Sequence, residues 1–109
     1  MKTITWLGSS YKDLMTFPKL ARQGAGYQLN NIQTGLDPDD WKSMATVGQG
    51  VKEIRLHYEN EYRVLYVAKF EETVYVLHAF VKKSQQTAQA DIALAKQRYL
   101  QMIKERGKK

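Results

Sequence analysis

Three stretches in the second half of the chain alternate between apolar and polar residues. They run from Val51 to Tyr58, from Tyr62 to Phe70 and from Thr73 to Val81, with polar turns around Glu59-Asn60 and Glu71-Glu72. A two-residue period rich in β-branched and aromatic side chains is typical of β-strands. Links this short join antiparallel neighbours. The pattern therefore predicts an antiparallel meander of three strands.

Helical spacing appears on either side of the meander. Pro18 suits the first turn of a helix that runs to about Thr34, with apolar residues at Ala21, Ala25, Leu29 and Ile32. Gly24 and Gly26 lower the helix propensity of this segment. A close contact with another helix would explain why glycine occurs there. A last helix, with Thr87 as N-cap, runs to about Arg106 and carries one apolar stripe of Ile92, Ala95, Tyr99 and Met102/Ile103.

The remaining segments complete one small domain. Thr3 to Leu7 predicts a first strand, Ser9 or Ser10 can cap a short helix through Met15, and residues 36–50 read as a loop. The predicted order is β-α-α-β-β-β-α, an α+β fold with a small antiparallel sheet, helices packed on one face and the other face free. The domain spans residues 1–106, and residues 107–109 form a flexible basic tail.

The composition of the chain limits which kinds of site and partner it can have. The chain has no cysteine and two isolated histidines, which excludes disulfides and thiolate nucleophiles and leads us to expect no metal and no cofactor. With no membrane-length apolar run and no signal-peptide pattern, we expect a cytoplasmic protein that does not contact membranes. The net charge of +6 is uneven, since residues 1–50 hold 5 basic and 4 acidic side chains and residues 51–109 hold 12 and 7. This excess favours a polyanionic partner.

Several of these cations fall at comparable levels of the meander. Arg55 and His57 share one side of their strand, Arg63 lies on the next strand, and Lys82-Lys83 end the third. Such cations, unmatched by carboxylates, would repel one another unless they receive a polyanion. Cleavage of a phosphodiester needs a proton acceptor, a proton donor and fixed positive charge, and basic side chains supply the last two. Each residue also has a structural alternative: a surface ion pair, a solvated strand end or a packed histidine.

Short motifs in this region resemble the phage-related branch of the RelE/HigB toxin superfamily. The resemblance covers more than half the chain. It rests on Asp40-Trp41-Lys42, Val47-Gly48-Gln49-Gly50-Val51, Glu53-Ile54-Arg55, Tyr62-Arg63-Val64, His78-Ala79-Phe80-Val81-Lys82-Lys83, Asp91-Ile92 and Ala95-Lys96-Gln97-Arg98.

The resemblance implies a toxin of a type II toxin–antitoxin pair, a metal-independent endoribonuclease that cuts mRNA in the ribosomal A site. It implies a helix-turn-helix antitoxin as partner, with DNA contacted only through that antitoxin. The proton acceptor stays open among His57, Tyr62 and a lysine. The expected site has catalytic residues Arg55, Arg63, Lys82, Lys83 and His57, and RNA-binding residues Lys42, Tyr62, Lys69 and Arg98.

Two other functions fit the same sequence. The chain could be a noncatalytic, phage-derived interaction protein or decayed toxin that binds an antitoxin or RNA without cutting it. A DNA-binding regulator is the weaker alternative, because no helix-turn-helix pattern is visible and the positive charge follows strands as much as a helix.

Overall fold

A computed structural model describes residues 1–108, and eight secondary-structure elements build this part of the chain. They are β1 Thr3–Trp6, α1 Ser10–Met15, α2 Lys19–Gln33, β2 Trp41–Ser43, β3 Val51–Tyr58, β4 Asn60–Val67, β5 Thr73–Lys82 and α3 Gln89–Gly107. The predicted α+β class and the antiparallel meander are confirmed. α3 ends at Gly107, close to the predicted end at about Arg106, and position 109 of the predicted tail lies outside the described residues.

The five strands form one mixed sheet in the order β1-β5-β4-β3-β2. β1 lies parallel to β5, so the sheet is mixed rather than purely antiparallel. The hydroxyls of Thr5 and Thr73, 2.8 Å apart, connect these two strands. A strand of four residues carries no sequence signal for the direction of its partner, which is why the parallel edge was not predicted.

β2 lies inside the segment predicted as a loop, and that prediction is wrong for residues 41–43. It pairs antiparallel with β3 and places Lys42 opposite Glu53. Three residues are too few to show a two-residue period. The strand brings Lys42, one of the residues predicted to bind RNA, onto the sheet.

One face of the sheet packs against α1 and α2. The predicted stripe of α2 is confirmed, because Ala21, Ala25, Leu29 and Ile32 are all buried in the same cluster as Ile54 and Val64 of the sheet. A helix–helix contact explains neither glycine of this helix. A Cβ at Gly24 would clash with the Tyr58 hydroxyl, whereas a Cβ at Gly26 would meet no atom within 4 Å. Gly24 therefore gives room to the end of β3.

The opposite face, called the α3 face below, packs against α3. Ala95, Tyr99 and Met102 of this helix are buried with Leu65 and Leu77 of the sheet. The prediction that helices cover only one face is therefore wrong. Strand periodicity separates the two sides of a strand but does not say which helix covers each side.

The start of α3 also differs from its prediction. Ala88 is the N-cap residue and no side chain caps the helix, so Thr87 does not have the predicted role. Of the apolar pair Met102/Ile103, Met102 is buried and Ile103 is exposed. In residues 1–108 no helix is both long enough and apolar enough to cross a bilayer.

A β-bulge between β4 and β5 sets which side chains of β5 reach the α3 face. Leu65 pairs with His78 and Tyr66 pairs with Val76, so Leu77 is the extra residue. Beyond the bulge, Arg63 lies opposite Phe80 and Glu61 opposite Lys82. The end of β5 thus comes beside the charged ends of β3 and β4.

Candidate functional site

A cleft opens on the α3 face where β3, β4 and β5 extend past α3. We call it the cationic cleft. Its volume is about 410 Å³, and its lining consists of Arg55, Glu61, Arg63, Lys82, Lys83, Ser84 and Gln85. Four of the five residues predicted as catalytic therefore lie together, and the antiparallel register explains why: Arg55 is directly opposite Arg63, and Glu61 is opposite Lys82.

Arg55 supplies positive charge that the described part of the chain does not neutralise. It is partly buried, and no carboxylate of residues 1–108 lies within ion-pair distance of it. Its Nε is buried without a hydrogen-bond partner. A buried donor without a partner is costly, and one explanation is an anionic ligand that accepts the bond. Lys82 and Lys83 make no ion pair within the described residues either.

Arg63 has a different environment. It is 2% exposed, and its guanidinium lies 3.6 Å from Glu53 Oε1 and 3.1 Å from Glu61 Oε1. It also donates a hydrogen bond of 3.0 Å to the carbonyl of Tyr62. The expectation that the cations are unmatched by carboxylates is therefore wrong for Arg63. Sequence alternation misses this pairing because it does not show that Glu53 and Arg63 are neighbours across β3 and β4.

His57 lies near the end of β3 but does not line the cationic cleft. Its Nε2 is 2.7 Å from Asp40 Oδ2, and its Nδ1 is 2.7 Å from Glu61 Oε1. The Asp40 carboxylate, followed by that of Glu61, raises the pKa of the imidazole above its ordinary value. Both ring nitrogens are thus engaged by carboxylates. His57 therefore links the carboxylates of Asp40 and Glu61.

The raised pKa of His57 makes stability depend on pH. Charged His57 stabilises the folded state at pH values below its ordinary pKa, and this contribution disappears as the pH rises through the raised value. Because the side chain is 49% exposed, the contribution is below about 1 kcal/mol. We expect His57→Gln to lower the free energy of unfolding at roughly pH 6 and to have almost no effect at roughly pH 9. Urea unfolding at both pH values measures this difference.

The control for the His57 contact compares Asp40, which hydrogen bonds to His57, with its neighbour Asp39, which hydrogen bonds to Gln28. Asp40→Asn should lower the pKa of His57 in an NMR titration. Asp39→Asn should leave that pKa unchanged, because Asp39 accepts its hydrogen bond from Gln28 at 2.9 Å. Equal effects of the two variants would contradict the assigned contact.

Glu61 is the site residue that sequence reasoning missed. It is the one carboxylate among the lining residues of the cationic cleft. Hydrogen bonding by His57, and then by Arg63, lowers the pKa of Glu61 below its ordinary value. The chain reverses at Glu59, whose φ of 63° is left-handed. This tight turn places Glu61 opposite His57 in the register, a pairing that the polar turn sequence alone did not reveal.

Lys42 lies beside the cleft in a second depression. This polar groove has a volume of about 530 Å³ and shares Lys82 and Gln85 with the cationic cleft. Its other lining residues are Lys42, Ser43, Met44, Ala45, Thr46, Gln86, Thr87, Gln89 and Ile92. The two depressions are therefore adjacent, and Lys42 lines the groove but not the cleft.

The other three residues predicted to bind RNA have positions outside both depressions. Tyr62 is 3% exposed and packs on Phe17, with ring centroids 4.8 Å apart, on the face opposite α3. The buried Arg98 donates hydrogen bonds to the Leu77 carbonyl at 2.9 Å and to Ser9 Oγ at 3.1 Å. Lys69 Nζ donates to the Gln49 carbonyl at 3.2 Å. None of Tyr62, Lys69 and Arg98 lines the cationic cleft or the polar groove.

The arrangement is suited to an anionic ligand. Three cations without ion-pair partners in residues 1–108 surround a cleft that is open to solvent, with one carboxylate on its wall. Nε of Arg55, Nε of Arg63 and Oε2 of Glu53 are buried on the same face without hydrogen-bond partners. A phosphodiester can accept bonds from the cations while its neighbouring hydroxyl meets the carboxylate.

The fold and the cleft define a small α+β protein with the architecture of RelE-like toxins. The model of the family described as "Phage derived protein Gp49-like (DUF891)" matches residues 12–100. The chain belongs to this family, which is part of the RelE/ParE-like toxin superfamily. A comparison with individual curated proteins gave no match. The matched range includes every residue that lines the cationic cleft.

Proposed function

We propose that this protein is the toxin of a type II toxin–antitoxin pair, of the HigB-like branch, and that it cuts mRNA in the ribosomal A site. The observation that carries the proposal is the cationic cleft, in which three cations that are unpaired among residues 1–108 lie beside one carboxylate, that of Glu61. Membership of a toxin-like family supports it.

Arg55, Lys82 and Lys83 are proposed to bind the scissile phosphate. Charge on the phosphate oxygens increases as the transition state forms, and fixed cations at the cleft stabilise that charge. Arg55 can form two parallel hydrogen bonds to a phosphate, whereas the lysines act as point charges. Arg63 contributes mainly by holding Glu61, because its own charge is already paired with Glu53 and Glu61.

Glu61 is proposed to accept the proton of the RNA 2′-hydroxyl. The 2′-oxygen then attacks the phosphorus, the bond from phosphorus to the 5′-oxygen breaks, and Lys82 or Lys83 donates a proton to that oxygen. The products are a 2′,3′-cyclic phosphate and a 5′-hydroxyl end. His57, which hydrogen bonds to Glu61, acts as a positioning residue. These side chains supply each step, so the proposed reaction uses no metal or cofactor.

The toxin-like family indicates an antitoxin as partner. We propose an antitoxin of the helix-turn-helix type that also makes the contacts with DNA, and a site of action in the cytoplasm, where ribosomes translate mRNA.

One observation favours a second candidate, a noncatalytic protein that binds RNA or an antitoxin. Two of the five predicted catalytic residues, Arg63 and His57, already have carboxylate partners. Such a protein would hold RNA in the cleft without cutting it.

Expression of the chain without its antitoxin distinguishes the two functions. We expect growth to stop and new mRNA 5′ ends to appear within ribosome-bound message, as mapped by sequencing. Lys82→Ala/Lys83→Ala should lose both effects, because it removes two of the three cations that lack partners in residues 1–108.

Lys96→Ala/Lys104→Ala is the matched control, since both lysines are exposed on α3 and do not line the cleft. It should be as toxic as the wild type. Ribosome binding without mRNA breaks would instead support the noncatalytic protein.

A further inference from the structure

A pocket lies on the α2 side of the sheet, which is the face opposite the cationic cleft. We call it the Tyr66 pocket. Its volume is about 140 Å³, and its lining consists of Lys2, Ile32, Gly35, Leu36, Asp37, Lys52, Tyr66 and Ala68. None of these residues lines the cationic cleft or the polar groove. The Tyr66 pocket is therefore separate from the proposed nuclease site.

Tyr66 brings a buried hydroxyl without a partner to this pocket. The residue is 1% exposed, and its hydroxyl makes no hydrogen bond within residues 1–108. Burial, and then the charge of Asp37, raises the pKa of Tyr66 above its ordinary value. Because Asp37 lines the same pocket, the hydroxyl end of Tyr66 lies towards it. A buried polar group without a partner is costly, and a ligand that accepts this hydrogen bond removes the cost.

Two lysines bring positive charge to the pocket. Lys2 Nζ donates a hydrogen bond of 2.6 Å to the Ala68 carbonyl, and Lys52 Nζ pairs with Asp37 at 3.2 Å. An ammonium group has three donors, so each lysine keeps donors for a ligand. Two cations and one carboxylate leave the lining with a net charge of +1. This balance matches a monoanion better than a dianion.

The rest of the wall and the size of the pocket limit the shape of the ligand. Ile32, Leu36 and Ala68 supply aliphatic surface. A cavity of about 150 Å³ holds one molecule the size of benzene, which has about six non-hydrogen atoms. The Tyr66 pocket therefore has room for a small anion with a short aliphatic tail.

The turn after α2 fixes one side of the pocket. Gly35 has a left-handed φ of 95°, and its N–H donates a hydrogen bond of 3.0 Å to the Ile32 carbonyl. The N–H of Leu36 donates to the Asn31 carbonyl at 2.9 Å. This side of the pocket is thus formed before a ligand arrives, which lowers the entropy cost of binding.

We propose that the Tyr66 pocket binds a free short-chain monocarboxylate. Its carboxylate accepts hydrogen bonds from Tyr66, Lys2 and Lys52, and its aliphatic tail lies against Ile32 and Leu36. This inference goes beyond the proposed function and does not depend on it, because the pocket and the cationic cleft share no residue.

Titration of the full chain with sodium butyrate, followed by NMR of the backbone amides at fixed ionic strength, tests the pocket. We expect the amide signals of Leu36 and Ala68 to shift, with a Kd on the order of 1 mM. The signals of Lys82 and Lys83 in the cationic cleft should stay unchanged. Acetate lacks two methylene groups of butyrate and should bind about 10-fold more weakly.

Tyr66→Phe removes only the hydroxyl. It should weaken butyrate binding by about 10-fold or more, the loss of one hydrogen bond to a charged group. Without butyrate its free energy of unfolding should not fall, because the hydroxyl has no partner in residues 1–108. Tyr58→Phe is the matched control, since it makes the same change on β3 outside the pocket and should bind butyrate like the wild type.

Four results would overturn the Tyr66 pocket as a carboxylate site. They are unchanged Leu36 and Ala68 signals, equal binding by the wild type and Tyr66→Phe, equal affinity for phosphate and butyrate, and a Tyr66→Phe protein that is less stable without butyrate. Each of them leaves the test of mRNA cleavage unaffected. If translated mRNA is not cut but butyrate binds in a Tyr66-dependent way, the nuclease proposal fails and the pocket stands.

Discussion

Arg55→Ala is expected to reduce RNA cleavage by about 100- to 1000-fold, the loss typical of removing one preorganised donor to transition-state charge. The free energy of unfolding should change by less than about 0.5 kcal/mol. The reason is that the Arg55 side chain makes no ion pair or hydrogen bond within residues 1–108, so truncation breaks no polar contact of that part of the chain. Rates of mRNA cleavage on ribosomes and urea unfolding curves measure the two quantities.

Lys52→Ala is the matched control for Arg55→Ala. Lys52 lies on the same strand, but its side chain pairs with Asp37 at 3.2 Å on the opposite face. We expect nearly wild-type cleavage from this variant. An Arg55→Ala protein that cuts RNA as fast as the wild type would refute the proposed site.

Arg63→Met is expected to have the largest effect on stability, about 3 to 5 kcal/mol of unfolding free energy. Arg63 and Glu53 are each only 3% exposed in their side chains, so removing the cation leaves a buried carboxylate without its partner. The change should appear as a lower urea midpoint. Cleavage should fall as well, because Glu61 loses its contact with Arg63.

The double variant Glu53→Met/Arg63→Met provides the control. Removing both charges together leaves no unpaired group, so much of the lost stability should return. If the double variant is less stable than Arg63→Met, the cost arises from packing rather than from the unpaired carboxylate. Cleavage should stay low in the double variant in either case.

The contrast between these two arginines shows a limit of sequence reasoning. Arg55 and Arg63 are both predicted as catalytic residues, and the register places them directly opposite each other. One side chain lines the cleft without a partner, while the other is buried between two carboxylates. Strand alternation gives the side of each residue but not the neighbours across the sheet or the depth of burial.

His57 and Tyr62, two candidates for the proton acceptor, show the same limit of sequence reasoning. Tyr62 belongs to the motif that suggested an RNA site, yet its alternation with Arg63 turns it to the face packed on Phe17. His57 is held by Asp40 from the segment before β2. Glu61 emerged as the candidate only when the tight turn brought it opposite His57.

The sequence by itself determined the α+β class, the meander and the buried stripe of α2, because each follows from local periodicity. It also determined the grouping of Arg55, Lys82 and Lys83, because that grouping follows from their positions along the strands. Only the tertiary structure decided that α3 covers the second face, that β1 runs parallel to β5 and that carboxylates neutralise Arg63 and His57. The physical reason is that pairing between distant strands fixes which charges meet, and a two-residue period contains no information about the partner strand.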